Sequence, residues 1–255
     1  MNSDLQLSII VPAYNEAKTI SKVLNTLLSL DCPIREIVVI DDGSKDDTRE
    51  IVTAICQQHS TVRLISHDRN SGKTAAIRTG LKEARGEIII IQDADLEYDP
   101  NEIPEVIDPI QNGKADVVYG SRFLVRKAAR VLYFSHYVAN KTLTFFSNVL
   151  TNRNMTDVET CYKAFRAEVI KPLTLKSHGF GMEIEITAMI CKTKARTYEV
   201  PISYYGRTYE EGKKIGLKDG IAAIWYIFYF NCVSPWLPSG RAYVRTVNEA
   251  LARIN

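Results

Sequence analysis

Between residues 7 and 111, short apolar runs alternate with longer stretches in which apolar residues recur every three or four positions. The runs at 7–11, 36–40, 62–66 and 87–92 are rich in isoleucine and valine and predict strands; residues 18–30, 47–58, 73–84 and 101–111 predict the helices between them. Strand and helix in regular alternation make a doubly wound α/β sheet. Ile88-Ile89-Ile90-Ile91 lacks any polar alternate, as a strand covered on both faces would. Val117-Val118-Tyr119 predicts one more strand.

Parallel strands deliver their carboxyl ends to one edge, where α/β sheets bind ligands. The segments that fall there are Val11-Pro12-Ala13-Tyr14-Asn15-Glu16, Asp41-Asp42-Gly43-Ser44, Asn70-Ser71-Gly72-Lys73 and Asp93-Ala94-Asp95. Any one of them reads equally well as a turn or a helix cap. Together, in register, they predict a single crevice. Two carboxylates one residue apart suit a hard divalent cation held against a diphosphate. Ser71-Gly72-Lys73-Thr74 is not a Walker loop, because His67 stands where that motif needs its first glycine.

The second half carries a different signal. Arg126 and Arg130, with Lys127 between them, lie one helical turn apart and could present a cationic edge to a phosphate. In the helix that follows, Val131, Phe134, Val138, Phe145 and Val149 form one stripe and Ala139, Leu143, Phe146 and Leu150 an adjacent one. So broad an apolar face fits the core, a second copy of the chain or a membrane surface. Residues 221–230 are apolar and aromatic, but at about ten residues too short to span a bilayer, so an interfacial or buried helix is expected.

Composition narrows these readings. With 255 residues, 45% apolar, and a net charge of +2 spread over interleaved acids and bases, the chain reads as one α/β domain without a general affinity for nucleic acid. We expect a single domain over 1–235, divided into halves over 1–115 and 116–235, and a helical tail over 236–255. The five cysteines are widely spaced and form no C-x-x-C pair, which fits reduced thiols rather than disulfides or zinc. A polar amino terminus without a signal-peptide core adds the expectation of a cytoplasmic protein, held peripherally at a membrane.

The ordered motifs, with Gln92 to Pro100 as the fourth, resemble those of family 2 inverting glycosyltransferases of the A-type nucleotide-sugar fold. The resemblance is strongest to the dolichol-phosphate mannose synthase and polyprenyl-phosphate glycosyltransferase branch, and runs from about residue 7 to about residue 220. It implies a doubly wound mixed sheet flanked by helices, Mg²⁺ or Mn²⁺ as cofactor, a GDP- or UDP-sugar donor and a polyprenyl phosphate acceptor. By this resemblance Pro12, Tyr14 and Glu16 pack on base and ribose, Asp42 accepts a hydrogen bond from the base, and Lys73 and Ala94 lie near the nucleotide. Asp93 faces the donor, Asp95 ligates the metal, and Glu97 joins them as a third oxygen ligand where mannose synthases often carry glutamine. Arg122, in Gly120-Ser121-Arg122, faces the acceptor phosphate with Arg126 and Arg130. Arg207 and Lys213 belong to a basic loop that closes over the diphosphate. Residues 156–166 resemble the segment beside the donor sugar, but Val158, Thr160 and Cys161 replace its usual proline, serine and glycine, which leaves the sugar open.

Catalysis would rest on Asp93, Asp95, Arg122 and Asp157. A phosphate monoester, with a second pKa near ~6, attacks the anomeric carbon as a dianion and needs cations. A sugar hydroxyl needs a base instead, for which Asp157 or Glu159 is the candidate. A nucleotidyltransferase and a silent nucleotide-sugar-binding module are the remaining alternatives.

Overall fold

The computed structural model describes residues 5–124, 130–131, 133–179, 181–206 and 217–254; Arg126, Lys127, Arg207 and Lys213 lie outside them. The predicted strands are found as β1 (Leu7–Ala13), β2 (Ile34–Asp41), β3 (Val62–Ser66) and β4 (Ile88–Ile91). The helices α1 (Ile20–Leu28), α2 (Thr48–Gln58), α3 (Lys73–Glu83) and α4 (Ile103–Gln111) connect them. The chain continues through β5 (Val117–Ser121), α5 (Phe134–Thr151), β6 (Lys163–Arg166), α6 (Ala167–Ile170), α7 (Gly181–Ile190) and β7 (Thr197–Pro201). Two helices close it, α8 (Leu217–Phe228) and α9 (Pro238–Ile254).

The strands form one sheet in the order β3-β2-β1-β4-β6-β5-β7. The direction of winding reverses between β1 and β4, which pair in parallel from Leu7 opposite Ile88 to Ile10 opposite Ile91. The loops after these two strands therefore flank the switch-point crevice. β6 runs antiparallel to both β4 and β5, so the sheet is mixed.

Period-2 alternation sorts the side chains between two layers. Leu7, Ile9 and Val11 of β1 pack with Val23, Leu24 and Leu27 of α1 and Ile103, Val106 and Ile107 of α4. Ile10 points the other way, among Ile77 and Leu81 of α3, Met182 and Ile186 of α7 and Val247 of α9. Each such isoleucine or leucine contributes roughly 1.5–3 kcal/mol by leaving water. Gly80 is required where α3 crosses β1, since a Cβ there would lie 2.4 Å from Ile10 Cγ2.

α5 is built inside out. Its buried residues are Thr144, Ser147 and Thr151, while Phe134, Phe145 and Val149 are 77%, 62% and 61% exposed. The stripe of Val131, Phe134, Val138, Phe145 and Val149 expected from the sequence thus faces away from the domain, whereas Leu143 and Leu150 of the adjacent stripe pack against the cluster of α7 and α8. On α8, Ala223 and Ile227 pack on Ile184 of α7, whereas Trp225 is 66% exposed. Among the described residues no helix is long and apolar enough to cross a membrane.

Candidate active site

A cleft of about 260 Å³ opens at the carboxyl edge, lined by Pro12, Ala13, Tyr14, Glu16, Asp42, Asn70, Lys73, Ala76, Asp93, Ala94 and Asp95. All four sequence segments thus reach one space. Tyr14 is the exposed rim; Asp42 is buried beneath it.

Asp42 is an organiser of the cleft wall. Its carboxylate accepts from the backbone N–H of Ser71 at 3.0 Å and of Gly72 at 2.7 Å, and meets His67 Nδ1 at 2.7 Å. These contacts fix the turn that starts α3 and so aim Lys73. Sequence reasoning gave Asp42 to a base; in the structure its oxygens already serve the Ser71–Gly72 turn, so a base would have to share them. Gly43 supports the same junction at φ 71°, where a Cβ would stand 2.6 Å from Arg69 C. Opposite, Asn15 Oδ1 accepts from Lys45 N at 2.8 Å and Ser44 Oγ accepts from Asn15 N at 3.0 Å, tying the loops after β1 and β2 together.

Lys73 Nζ lies 2.6 Å and 2.8 Å from the two oxygens of Asp93 and 3.1 Å from Cys161 Sγ. Burial disfavours its charge, but Asp93, with Cys161 and Glu183, outweighs that and holds the amine well above the usual lysine range. Lys73 is a fixed cation in the wall of the cleft. Burial pushes the Cys161 thiol up, beyond the relief Lys73 gives, so it stays neutral. Neither Cys161 nor Glu183 was assigned a role from the sequence; the only signal was the cysteine where the resemblance expects glycine.

Asp93, Asp95 and Glu97 do not form a ready-made cage. Asp93 is paired with Lys73, and Glu97 Oε2 accepts from the Tyr204 hydroxyl at 2.8 Å. No cluster of three such side chains converges on a metal position among the described residues. Asp95 faces the cleft, and its Oδ1 accepts from Glu97 N at 3.1 Å. Between them Leu96 adopts φ 62°, a left-handed conformation costing a non-glycine residue roughly 1–2 kcal/mol. The set still fits a hard ion, since Mg²⁺ is commonly bound by one or two carboxylates together with substrate phosphates.

Arg122 and Asp157 form a buried two-point pair, with Nε 2.7 Å from Oδ2 and Nη2 2.7 Å from Oδ1. Arg122 N donates to the same carboxylate at 3.1 Å. Glu199 of β7 positions the partner loop by accepting from Thr156 N at 2.8 Å and Asp157 N at 3.2 Å. Burial works to raise the Asp157 carboxyl, but the Arg122 charge and hydrogen bonds bring it below the usual carboxylate range. Glu159 behaves in the opposite way: burial and the Glu183 carboxylate push it up to about 8, and its Oε1 is enclosed without a hydrogen-bond partner. Lys163 sits between these groups, donating to the carbonyls of Val158 and Thr160. Arg130 Nη1 lies 3.0 Å from the carbonyl of Gly206.

Residues 8–174 match the model of glycosyl transferase family 2. The chain belongs to that family. It is 30% identical over 218 residues to the dolichol-phosphate mannosyltransferase of Pyrococcus furiosus, a match over 83% of this chain and 60% of that protein, so it spans less than two thirds of that relative. It is 31% identical to the UDP-N-acetylglucosamine–dolichyl-phosphate N-acetylglucosaminyltransferase of Methanococcus voltae, over 78% of this chain and 86% of the relative. In three dimensions it is similar to glucosyl-3-phosphoglycerate synthase from Mycobacterium tuberculosis, solved with Mn²⁺, UDP and phosphoglyceric acid. The TM-score is 0.70 at 21% identity, over 90% of this chain and 79% of that one. The mixed sheet of this family 2 chain is therefore the A-type glycosyltransferase fold expected from its motifs.

Proposed function

We propose that the protein transfers a sugar from a GDP- or UDP-sugar to a polyprenyl phosphate, with a divalent metal, at a membrane surface. The observation that carries this reading is the commitment of Asp157 to Arg122. A hydroxyl acceptor needs an available base, and an ion-paired carboxylate with a lowered pKa is a poor one. A phosphate dianion needs no base; it needs cations, which Arg122 and Arg130 would offer. The two-point pair uses Nε and Nη2 of Arg122, so Nη1 is not spent on Asp157.

On the donor side, Pro12, Tyr14, Glu16, Asp42 and Ala94 would hold the nucleotide, with Lys73 and Asp93 next to the diphosphate and sugar. Asp95 would hold the metal with Glu97 nearby, and Mg²⁺ or Mn²⁺ would supply charge to stabilise the departing diphosphate. Arg126, Arg207 and Lys213 are assigned to the acceptor and the diphosphate by resemblance alone. The outward apolar face of α5 and Trp225 of α8 support docking on lipid, because the acceptor's phosphate would then be offered at the rim of the domain. Two relatives named above carry dolichyl-phosphate chemistry in their names, in keeping with this reading.

Glu159, pushed to about 8, is the observation favouring a sugar-hydroxyl acceptor. The experiment is turnover of GDP- and UDP-sugars with Mn²⁺, offering either a polyprenyl phosphate or soluble saccharides. Transfer to the lipid phosphate that survives Glu159→Gln is the expected result. Transfer only to saccharides, abolished by Glu159→Gln, would replace this reading with the hydroxyl-directed one.

A further inference from the structure

Tyr204 follows β7 and touches both sides of the site. Its hydroxyl donates to Glu97 Oε2 at 2.8 Å, and its ring lies 5.1 Å from the Arg122 guanidinium carbon. The ring also packs on Tyr98, 5.3 Å between centroids, and Tyr98 in turn accepts a hydrogen bond from Cys161 N at 3.2 Å. The neighbouring backbone is held at each step. Ser203 is gripped by Glu102 through N and Oγ, both at 2.8 Å, and Tyr205 N donates to the Glu97 carbonyl at 2.9 Å. Arg130 donates to the carbonyl of Gly206.

We propose that Tyr204 is a positioning residue that sets the Glu97 carboxylate and the Arg122 guanidinium relative to one another, so that the metal loop and the acceptor cation are assembled as one unit. This rests on the reaction proposed above. The hydroxyl and the ring make separable contributions. A hydrogen bond orients Glu97 beside Asp95, whereas a flat aromatic face under the guanidinium resists its rotation away from Asp157. Tyr204→Phe removes the first and keeps the second; Tyr204→Leu removes both. Leu96, strained between Asp95 and Glu97, makes the loop a place where an external restraint matters.

The test uses the full chain and direct Mn²⁺ binding, read by electron paramagnetic resonance in the presence of UDP or GDP, alongside steady-state kinetics with a short-chain isoprenyl monophosphate. Tyr204→Phe is expected to raise the Mn²⁺ Kd about tenfold or more, the scale of a lost hydrogen bond to a charged group, with little change in acceptor KM. Tyr204→Leu is expected to raise acceptor KM as well, at unchanged donor KM. The Mn²⁺ effect of Tyr204→Phe should vanish in a Glu97→Gln background. Wild-type Mn²⁺ affinity in Tyr204→Phe, or a shift that persists without the Glu97 carboxylate, overturns the proposal. Should Tyr204→Leu fail to fold, Tyr204→Phe decides the question alone. A wild-type protein that transfers sugar while Tyr204→Phe is silent overturns only this inference; one that neither binds Mn²⁺ nor transfers sugar overturns the reaction itself.

Discussion

Asp157 grips Arg122 at two points, each 2.7 Å long, across 35 residues of chain. Breaking a buried pair by removing one partner strands the other charge, at about 3–5 kcal/mol. Asp157→Leu should therefore lower stability by about that amount in urea unfolding, and the double variant Arg122→Leu, Asp157→Leu should recover part of it. A double variant less stable than Asp157→Leu would show that the pair does not act as described.

Arg122→Lys keeps the charge and loses the planar fork. The expected outcome is a fall in kcat/KM for polyprenyl phosphate of about tenfold or more with donor KM unchanged, measured by steady-state kinetics. Equal kinetics would remove Arg122 from acceptor recognition.

Asp95→Asn removes the charge of the proposed metal ligand, which lies on a loop rather than in the core. Mn²⁺ binding and transfer should both be lost, while the thermal midpoint stays within a degree or two of wild type by about the margin surface substitutions show.

Asp42→Ala should do two things at once. Loss of the acceptor for Ser71 N, Gly72 N and His67 leaves donors unpaired in the loop, at about 1–3 kcal/mol, and releases the turn that aims Lys73. Calorimetric titration should show weaker binding of the preferred nucleoside diphosphate, and denaturant unfolding a lower midpoint. A change in binding alone would return Asp42 to the simpler role of base acceptor.

Glu159 predicts a pH effect. Its folded pKa of about 8 lies above the ordinary 4.5, so the folded state holds a proton that the unfolded chain releases. Stability from this group is full below pH ~4.5, falls as pH rises toward 8, and is level above it. Glu159→Gln should therefore gain stability over wild type between pH 5 and 8, read as a widening gap in thermal midpoint. Glu183, Lys163, Arg122 and Asp157 face the group in both proteins, and Lys163, which the Glu159 charge helps to keep protonated, titrates together with it. A constant gap across that range would refute the raised pKa.

The first half of the fold was readable because its strands are built on short runs of isoleucine, valine and leucine, with Ser8 and Arg63 as interior polar residues and the polar motifs at the strand ends. Eight of the nine site residues assigned from sequence in that half, from Pro12 to Asp95, line the same space; the ninth, Glu97, is held by Tyr204 beside it. β6 escaped notice. Its four residues include Lys163 and Arg166, both buried, and each is tolerable only through partners that sequence does not show: the carbonyls of Val158 and Thr160 for one, Asp116 for the other. β7 is a partly exposed edge strand ending in Pro201, with too little apolar pattern to register. The pairing of Arg122 with Asp157 and the contact of Tyr204 with Glu97 depend on that same mixed end of the sheet, so they became visible only in three dimensions.

β6 is the reversed strand in this sheet, so it starts at the cleft edge and leads the chain away, where its neighbours lead toward it. Residues 156–162 thus precede their strand at the edge where the loops of the parallel strands follow theirs, and meet those loops without being spliced into them. Substitutions there, such as the cysteine at 161, change the lining beside Lys73 and Tyr98 without altering the loops after β1 and β2. In evolutionary terms the seam between β4 and β6 is a boundary at which new substrates can be tried without rebuilding the old machine.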